Sequence, residues 1–179
     1  MSTSFKSAMD RLKANIRDVP DFPKKGIIFK DITPILTNGQ LFRLAVTIFA
    51  ERYQRKSVER IVAIDARGFI FGGALAHYLG IGLTLVRKKG KLPYQSNEIE
   101  YELEYGKGIL EMHIDGVEKN QRVVIIDDLL ATGGTAEAAA KLVQQSGAEI
   151  VELAFLVEIA FLHGRERLGK YPVFSAISY

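Results

Sequence analysis

The sequence predicts an α/β fold, a parallel sheet flanked by helices, with a small N-terminal segment ahead of it and a β-hairpin inserted into it. Three observations carry that expectation. Short β-branched runs alternate with stretches of helical periodicity between Arg60 and Val157, the pattern of strands buried on both faces by crossover helices. The run Val123 to Ile126 ends in Asp127-Asp128 and a Gly-Gly loop that opens a helix, and ligands bind at the C-terminal edge of a parallel sheet. Between two of the runs, Ile99 to Tyr105 alternates strictly between apolar and polar residues, the signature of a strand with one face exposed.

In chain order, Phe5, Ala8, Met9, Leu12 and Ile16 follow helical spacing and predict an amphipathic N-terminal helix. A Pro- and Gly-punctuated loop runs from Asp18 to Gly26, followed by a short strand at Ile27-Ile28-Phe29. Leu41, Leu44, Ala45, Ile48 and Phe49 mark a second helix, capped near Thr37 or Asn38. Strands are expected at 60–64, 82–86, 122–126 and 150–157, helices at 69–79 and about 135–146, and a short helix and strand at the C-terminus. Residues 99–105 and 109–114 pair across Gly106-Lys107-Gly108 as a hairpin, reached from the preceding strand through the polar linker Lys91 to Asn97. A hairpin inserted in this way reads as a mobile lid over 91–114. No repeat, low-complexity tract or domain boundary interrupts the chain, so 1–179 reads as one domain with 1–35 as an N-terminal arm.

A chain of 179 residues, 47% hydrophobic and 25% charged, buries a sizeable core without covalent staples. The absence of cysteine excludes disulfides and thiolate metal sites. The first 18 residues lack the apolar core of a signal peptide, and the longest apolar runs are strand-sized. A cytoplasmic protein with no membrane association is expected. A net charge of +3 is too mild to argue for nucleic acid. The local run Arg87-Lys88-Lys89-Gly90-Lys91 matters more, and reads either as a solvated loop or as an anion site. His77, His113 and His163 lack metal-ligand spacing.

The segment from Val123 to Thr135 carries the strongest chemistry. A buried strand delivers two carboxylates, Asp127 and Asp128, to its C-terminal end. The N–H groups of Ala131, Thr132, Gly133, Gly134 and Thr135 then converge on an anion at a helix N-terminus. Gly133 and Gly134 allow close approach of the backbone, and the two threonine hydroxyls add donors. Acids beside an anion cradle make sense if they accept hydrogen bonds from sugar hydroxyls or hold the water shell of a metal. No Lys follows Gly134, so the loop is not a P-loop, and the spacing is not that of a dinucleotide fingerprint.

That string resembles the phosphoribosyl-diphosphate (PRPP) binding motif of type I phosphoribosyltransferases. The likeness extends over most of the chain. Asp21 to Pro34 resembles the base-binding region of the adenine-specific branch, and Asp65-Ala66-Arg67-Gly68-Phe69 its diphosphate loop. Arg87 to Pro93 and Leu103 to Gly106 resemble the start and the hairpin of its mobile loop. The resemblance implies a small N-terminal base-binding hood and a lid on the α/β domain. It also implies a reaction of adenine with PRPP and Mg2+ that gives AMP and diphosphate. Asp127 and Asp128 would accept from the ribose hydroxyls, and Ala131 to Thr135 would hold the 5′-phosphate. Arg67, with Arg87, Lys88 and Lys91, would stabilise the leaving diphosphate, with help from a second subunit of a homodimer. Phe29 would stack on adenine and the backbone around Ile28 and Lys30 would read its edge by hydrogen bonds, although an aromatic beside a strand also reads as core. Glu104 would sit near N7 of the base as a proton carrier, with Tyr105 beside it on the lid. The bland reading of Glu104 is a solvated acidic face shared with Glu100 and Glu102.

The resemblance further implies a cis peptide at Asp65-Ala66. Relatives acting on 6-oxopurines carry an Asp immediately before the Thr-Gly of the phosphate loop, where this chain has Ala131. Adenine is therefore expected ahead of xanthine or another purine, and those ahead of orotate. A PRPP-binding regulator without turnover is the alternative of a different class. It would need a DNA-binding module for which 179 residues leave little room.

Overall fold

The computed structural model describes residues 3–102 and 106–179. The expectations for Glu104 and Tyr105 lie outside the described residues. The chain divides into two compact units, Met1–Phe49 and Ala50–Tyr179.

The first unit begins with α1 (Thr3–Lys13), the amphipathic helix the periodicity predicts. Where a loop was expected, β1 (Arg17–Pro20) pairs antiparallel with β2 (Ile28–Asp31). Lys30 Nζ reaches Asp18 Oδ1 at 2.6 Å across that ribbon. Most of β1 is exposed, so it has no apolar periodicity to betray it. The short helix α2 (Thr33–Thr37) was also unforeseen. Its start carries a proline in the first turn, and the Asp31 carboxylate accepts from the N–H and hydroxyl of Thr33 at 2.9 and 2.7 Å. The helix α3 (Gly39–Tyr53) crosses from the first unit into the second. Asn38 is its cap, since Asn38 Oδ1 accepts from the N–H groups of Gln40 and Leu41 at 3.0 and 3.2 Å.

The second unit is built on a seven-stranded sheet. Its strands are β3 (Arg60–Ile64), β4 (Gly82–Lys88), β5 (Ser96–Glu102), β6 (Lys107–His113), β7 (Arg122–Leu130), β8 (Glu149–Glu158) and β9 (Val173–Ser178). The order is β5-β6-β4-β3-β7-β8-β9. Strands β4, β3, β7, β8 and β9 run parallel, while β6 is antiparallel to both β4 and β5. Residues 61–64 and 123–126 are buried throughout, which explains their unbroken apolar runs. Helix α4 (Gly68–Leu79) packs on β3, β4 and β7, with Gly72 against Ala63 and Ile126. Helix α5 (Gly134–Gln145) shares a core cluster with Val62, Ile64, Val123 and Ile125, the alternate residues of the same strands. The two helices therefore cover opposite faces.

The hairpin departs from its expected form in one respect. Its strands start earlier than the alternation suggests, at Ser96 and Lys107, and β6 pairs with β4 through Arg87↔Glu111 and Lys88↔Leu110. The hairpin thus continues the main sheet, and Tyr101, Leu110 and Met112 belong to its core. The same pairing prolongs β4 by two residues beyond the expected strand.

Candidate active site

From β3 the chain passes through α4 to β4 on one side; from the adjacent β7 it passes through α5 to β8 on the other. The carboxyl ends of β3 and β7 are therefore a topological switch point, where loops diverge and leave a crevice. The loop Asp65-Ala66-Arg67 leaves β3 there, and Ala131 to Gly133 leaves β7. Both acids of the pair lie inside β7 itself, which runs on to Leu130 because Asp127, Leu129 and Leu130 keep pairing with β8.

A cavity of about 750 Å³ opens at this point, within the size range of small-molecule sites. Asp65, Ala66, Arg67, Lys88, Asp127, Asp128 and Thr135 all contribute to its wall. Arg67 Nε donates to Asp128 Oδ2 at 2.5 Å. Asp128 is buried in this pair, while Arg67 keeps 44% of its side chain exposed and so presents charge to the cavity. Asp127 Oδ1 accepts from the Asp128 N–H at 2.8 Å. Desolvation, and then the neighbouring Asp128 carboxylate, push the Asp127 carboxyl well above its ordinary range. The Asp65-Ala66 peptide is cis, as the resemblance implies.

Beside it, a smaller cavity of about 90 Å³ is lined by Asp127 and residues 129–136, which include the whole expected cradle. Gly133 caps α5 with φ +84°, a conformation that favours glycine, and no side chain caps this helix end. Helix starts leave their first N–H groups without intrahelical partners, so the start of α5 offers donors beside the loop.

The basic run divides. Lys88 lines the larger cavity. Arg87 does not line it but pairs with a residue that does: its Nε lies 3.3 Å from Asp65 Oδ2, its Nη1 donates to the Lys91 carbonyl at 3.0 Å, and its guanidinium stands 5.8 Å over the Phe69 ring. Lys91 is exposed and does not line the cavity wall. Its N–H and that of Leu92 donate to the buried Glu111 at 2.8 and 2.7 Å, which pins the turn. Burial would push the Glu111 carboxyl up, but these N–H groups hold it below its ordinary range.

Ile28, Phe29 and Lys30 lie on β2 of the first unit. Ile28 is exposed, and the half-buried Phe29 ring meets Phe22 edge-on at 5.2 Å.

Sequence reasoning missed part of the wall. Lys89, left out of the expected diphosphate set, lines the cavity while paired with Glu98 at 2.7 Å. Tyr101, Lys107 and Ile109 also line it. Tyr101 was legible only as the apolar side of an alternation, and Lys107 only as a turn residue. Their place above the cavity follows from the β4–β6 pairing.

The crevice gathers Arg67, Lys88, Lys89 and Lys107 with Asp127 and Asp128 in one wall, a setting whose chemistry suits a phosphorylated sugar. The family comparison agrees: residues 32–177 match the phosphoribosyl transferase domain, and the chain belongs to that family. It is 51% identical over 179 residues to the adenine phosphoribosyltransferase of Methylacidiphilum infernorum, covering 100% of both chains. The crystal structure of adenine phosphoribosyltransferase from Thermoanaerobacter pseudethanolicus superposes with a TM-score of 0.92 at 48% identity, over 96% of this chain and 99% of that one. The Saccharomyces cerevisiae adenine phosphoribosyltransferase complexed with an imino-altritol bisphosphate and adenine gives a TM-score of 0.91 at 38% identity, over 95% and 98% of the two chains.

Proposed function

We propose that this protein transfers the phosphoribosyl group of PRPP to adenine, giving AMP and diphosphate. One observation carries the reading: at a single switch point, Arg67 is bound to one of two adjacent acids beside an anion cradle. Full-length similarity to adenine phosphoribosyltransferases supports the choice of base. The cradle from Ala131 to Thr135 holds the 5′-phosphate, and Asp127 and Asp128 accept from the ribose hydroxyls. Adenine N9 bonds to C1 of the ribose as the bond from C1 to diphosphate breaks, and the base gives up one proton. Arg67 and Lys88 face the charge that develops on the departing diphosphate, where preorganised cations are most effective. Arg87 and Lys91 act with them through the basic turn, or from the neighbouring subunit of a homodimer. The exposed Ile70 and Tyr78 on α4 are consistent with such a dimer.

Among the described residues, no three His, Asp or Glu side chains gather as a metal site. Asp127 and Asp128 both line the cavity and fit the water shell of a magnesium ion carried by the phosphates of PRPP. Bound magnesium supplies neutralisation of the diphosphate charge. Phe29 stacks on adenine, with the backbone near Ile28 and Lys30 reading its edge. Glu104 holds a base proton near N7, and Tyr105 belongs with it to the lid. The lid role of 91–114 rests on Tyr101, Lys107 and Ile109 in the cavity wall, and saturating PRPP with magnesium should slow proteolysis in that segment. Unchanged cleavage would remove the lid. We place the reaction in the cytoplasm, the compartment the sequence reading expects.

A panel of adenine, hypoxanthine, guanine, xanthine and orotate with PRPP and magnesium tests the choice of base. Ala131 puts no carboxylate where a 6-oxopurine enzyme has one, so adenine should lead in kcat/KM by about 100-fold or more. Comparable turnover of hypoxanthine or guanine would overturn the assignment.

A further inference from the structure

The phosphate cradle is supported from a part of the chain that no motif marks. After β8, the short helix α6 (Gly164–Arg167) follows His163, which has φ +56°. Gly164 is buried directly against the cradle. A Cβ built on it would stand 2.1 Å from the Ala131 carbonyl oxygen and 3.0 Å from the Gly133 nitrogen. Contact is mutual, because a Cβ on Gly133 would stand 2.6 Å from the Gly164 carbonyl oxygen. The helix is strapped at two points. Arg165 Nε and Nη2 donate to both oxygens of the buried Glu158 at 3.0 and 2.5 Å, and its Nη1 to the Val173 carbonyl at 2.8 Å. Arg167 Nε donates at 2.8 Å to Glu137 in the first turn of α5. Arg167 Nη1 lies 3.4 Å from where a Gly134 Cβ would be. A cation thus sits on the opening turn of the cradle, and backbone sits against its loop.

We propose that α6 is a positioning element for the 5′-phosphate of the phosphoribosyl substrate, with Gly164 setting the position of the cradle loop and Arg167 that of the first turn of α5. This rests on the reading of 131–135 as the 5′-phosphate site. Neither residue touches the reacting atoms. A methyl at position 164 must push the Ala131 carbonyl by more than 1 Å to reach ordinary contact, and misaiming one hydrogen bond to a charged group costs about 10- to 100-fold in affinity. The 5′-phosphate is held alike in ground and transition states, so the loss falls on KM for PRPP and leaves kcat nearly unchanged.

The test is binding and kinetics on Gly164→Ala and Arg167→Met, with ribose 5-phosphate and diphosphate as separate calorimetric probes. Gly164→Ala should weaken ribose 5-phosphate, and raise KM for PRPP, by about 10- to 100-fold, while diphosphate affinity and KM for adenine stay within about twofold. Arg167→Met creates no overlap and should give a smaller loss of the same selectivity, about 3- to 10-fold, partly restored in Arg167→Lys. Unchanged ribose 5-phosphate affinity in the variants, or equal weakening of both probes with a lowered Tm, would overturn the proposal. If Gly164→Ala does not fold, the ratio of the two affinities in Arg167→Met decides alone. Wild-type binding of ribose 5-phosphate without use of adenine would sink the choice of base and leave this role standing; use of adenine with no ribose 5-phosphate binding by the wild type would sink this role and leave the choice of base standing.

Discussion

Replacing Arg67 by Met separates the two things its guanidinium does. The side chain holds the buried Asp128 through a 2.5 Å hydrogen bond and keeps 44% of its own surface exposed. Exposed ion pairs contribute about 0–1 kcal/mol, and breaking a fully buried pair costs about 3–5 kcal/mol. With one partner buried and the other half-exposed, Arg67→Met should lose about 1–3 kcal/mol, mostly from a carboxylate left without its cation. The loss in catalysis should be larger, about 10²- to 10³-fold in kcat, as for removal of one preorganised donor from a developing anion. Urea unfolding and steady-state kinetics on Arg67→Met, Asp128→Asn and the double variant resolve the two effects. The double variant should recover most of the stability, because an amide at 128 needs no cation, and should recover none of the activity. Stability losses that simply add would refute the coupling of the pair. Near-native kcat in Arg67→Met would refute its place at the diphosphate.

Asp127 has a carboxyl pushed up by desolvation and by Asp128, so the folded protein retains a proton that the unfolded chain has already lost. Stability should fall as pH rises from the ordinary carboxylate range through that raised value. Asp127→Asn should flatten this slope and be more stable than the wild type above the window, while binding PRPP less well. A wild-type urea midpoint that does not fall across the window would contradict the assignment. Glu104→Gln should lower kcat by about 10²- to 10⁴-fold with little change in PRPP affinity, while Glu102→Gln stays near wild type. Full activity in both variants would return Glu104 to a solvated acidic face. Sedimentation should find a homodimer; fully active monomers would exclude assistance from a second subunit.

The parallel strands were legible because they are buried on both faces, and 60–64 reads as an unbroken run for that reason. The cradle was legible because its residues are contiguous and their chemistry is local. What stayed hidden depends on contacts distant in sequence or on surface without periodicity. Strand β1 is mostly exposed and joins β2 through backbone pairing and the Lys30–Asp18 contact. Glu111 reads as one more charge in a hairpin, yet it is buried and accepts from two N–H groups 19 and 20 residues away. Glu152, likewise buried, accepts from Arg52 at 2.5 and 2.7 Å and from the Tyr53 hydroxyl at 2.8 Å, about a hundred residues apart in sequence. The opposite turns of Arg87 and Lys88 follow from adjacent side chains leaving opposite faces of β4. A run of basic letters does not show which of them faces the cavity.

The most direct test of phosphoribosyl transfer is a count of products from purified protein with adenine, PRPP and magnesium. One AMP and one diphosphate should form for each adenine consumed, with no diphosphate released when adenine is left out. Saturable PRPP binding with no AMP formed would contradict catalysis and mark the protein as a binding regulator built on the same fold.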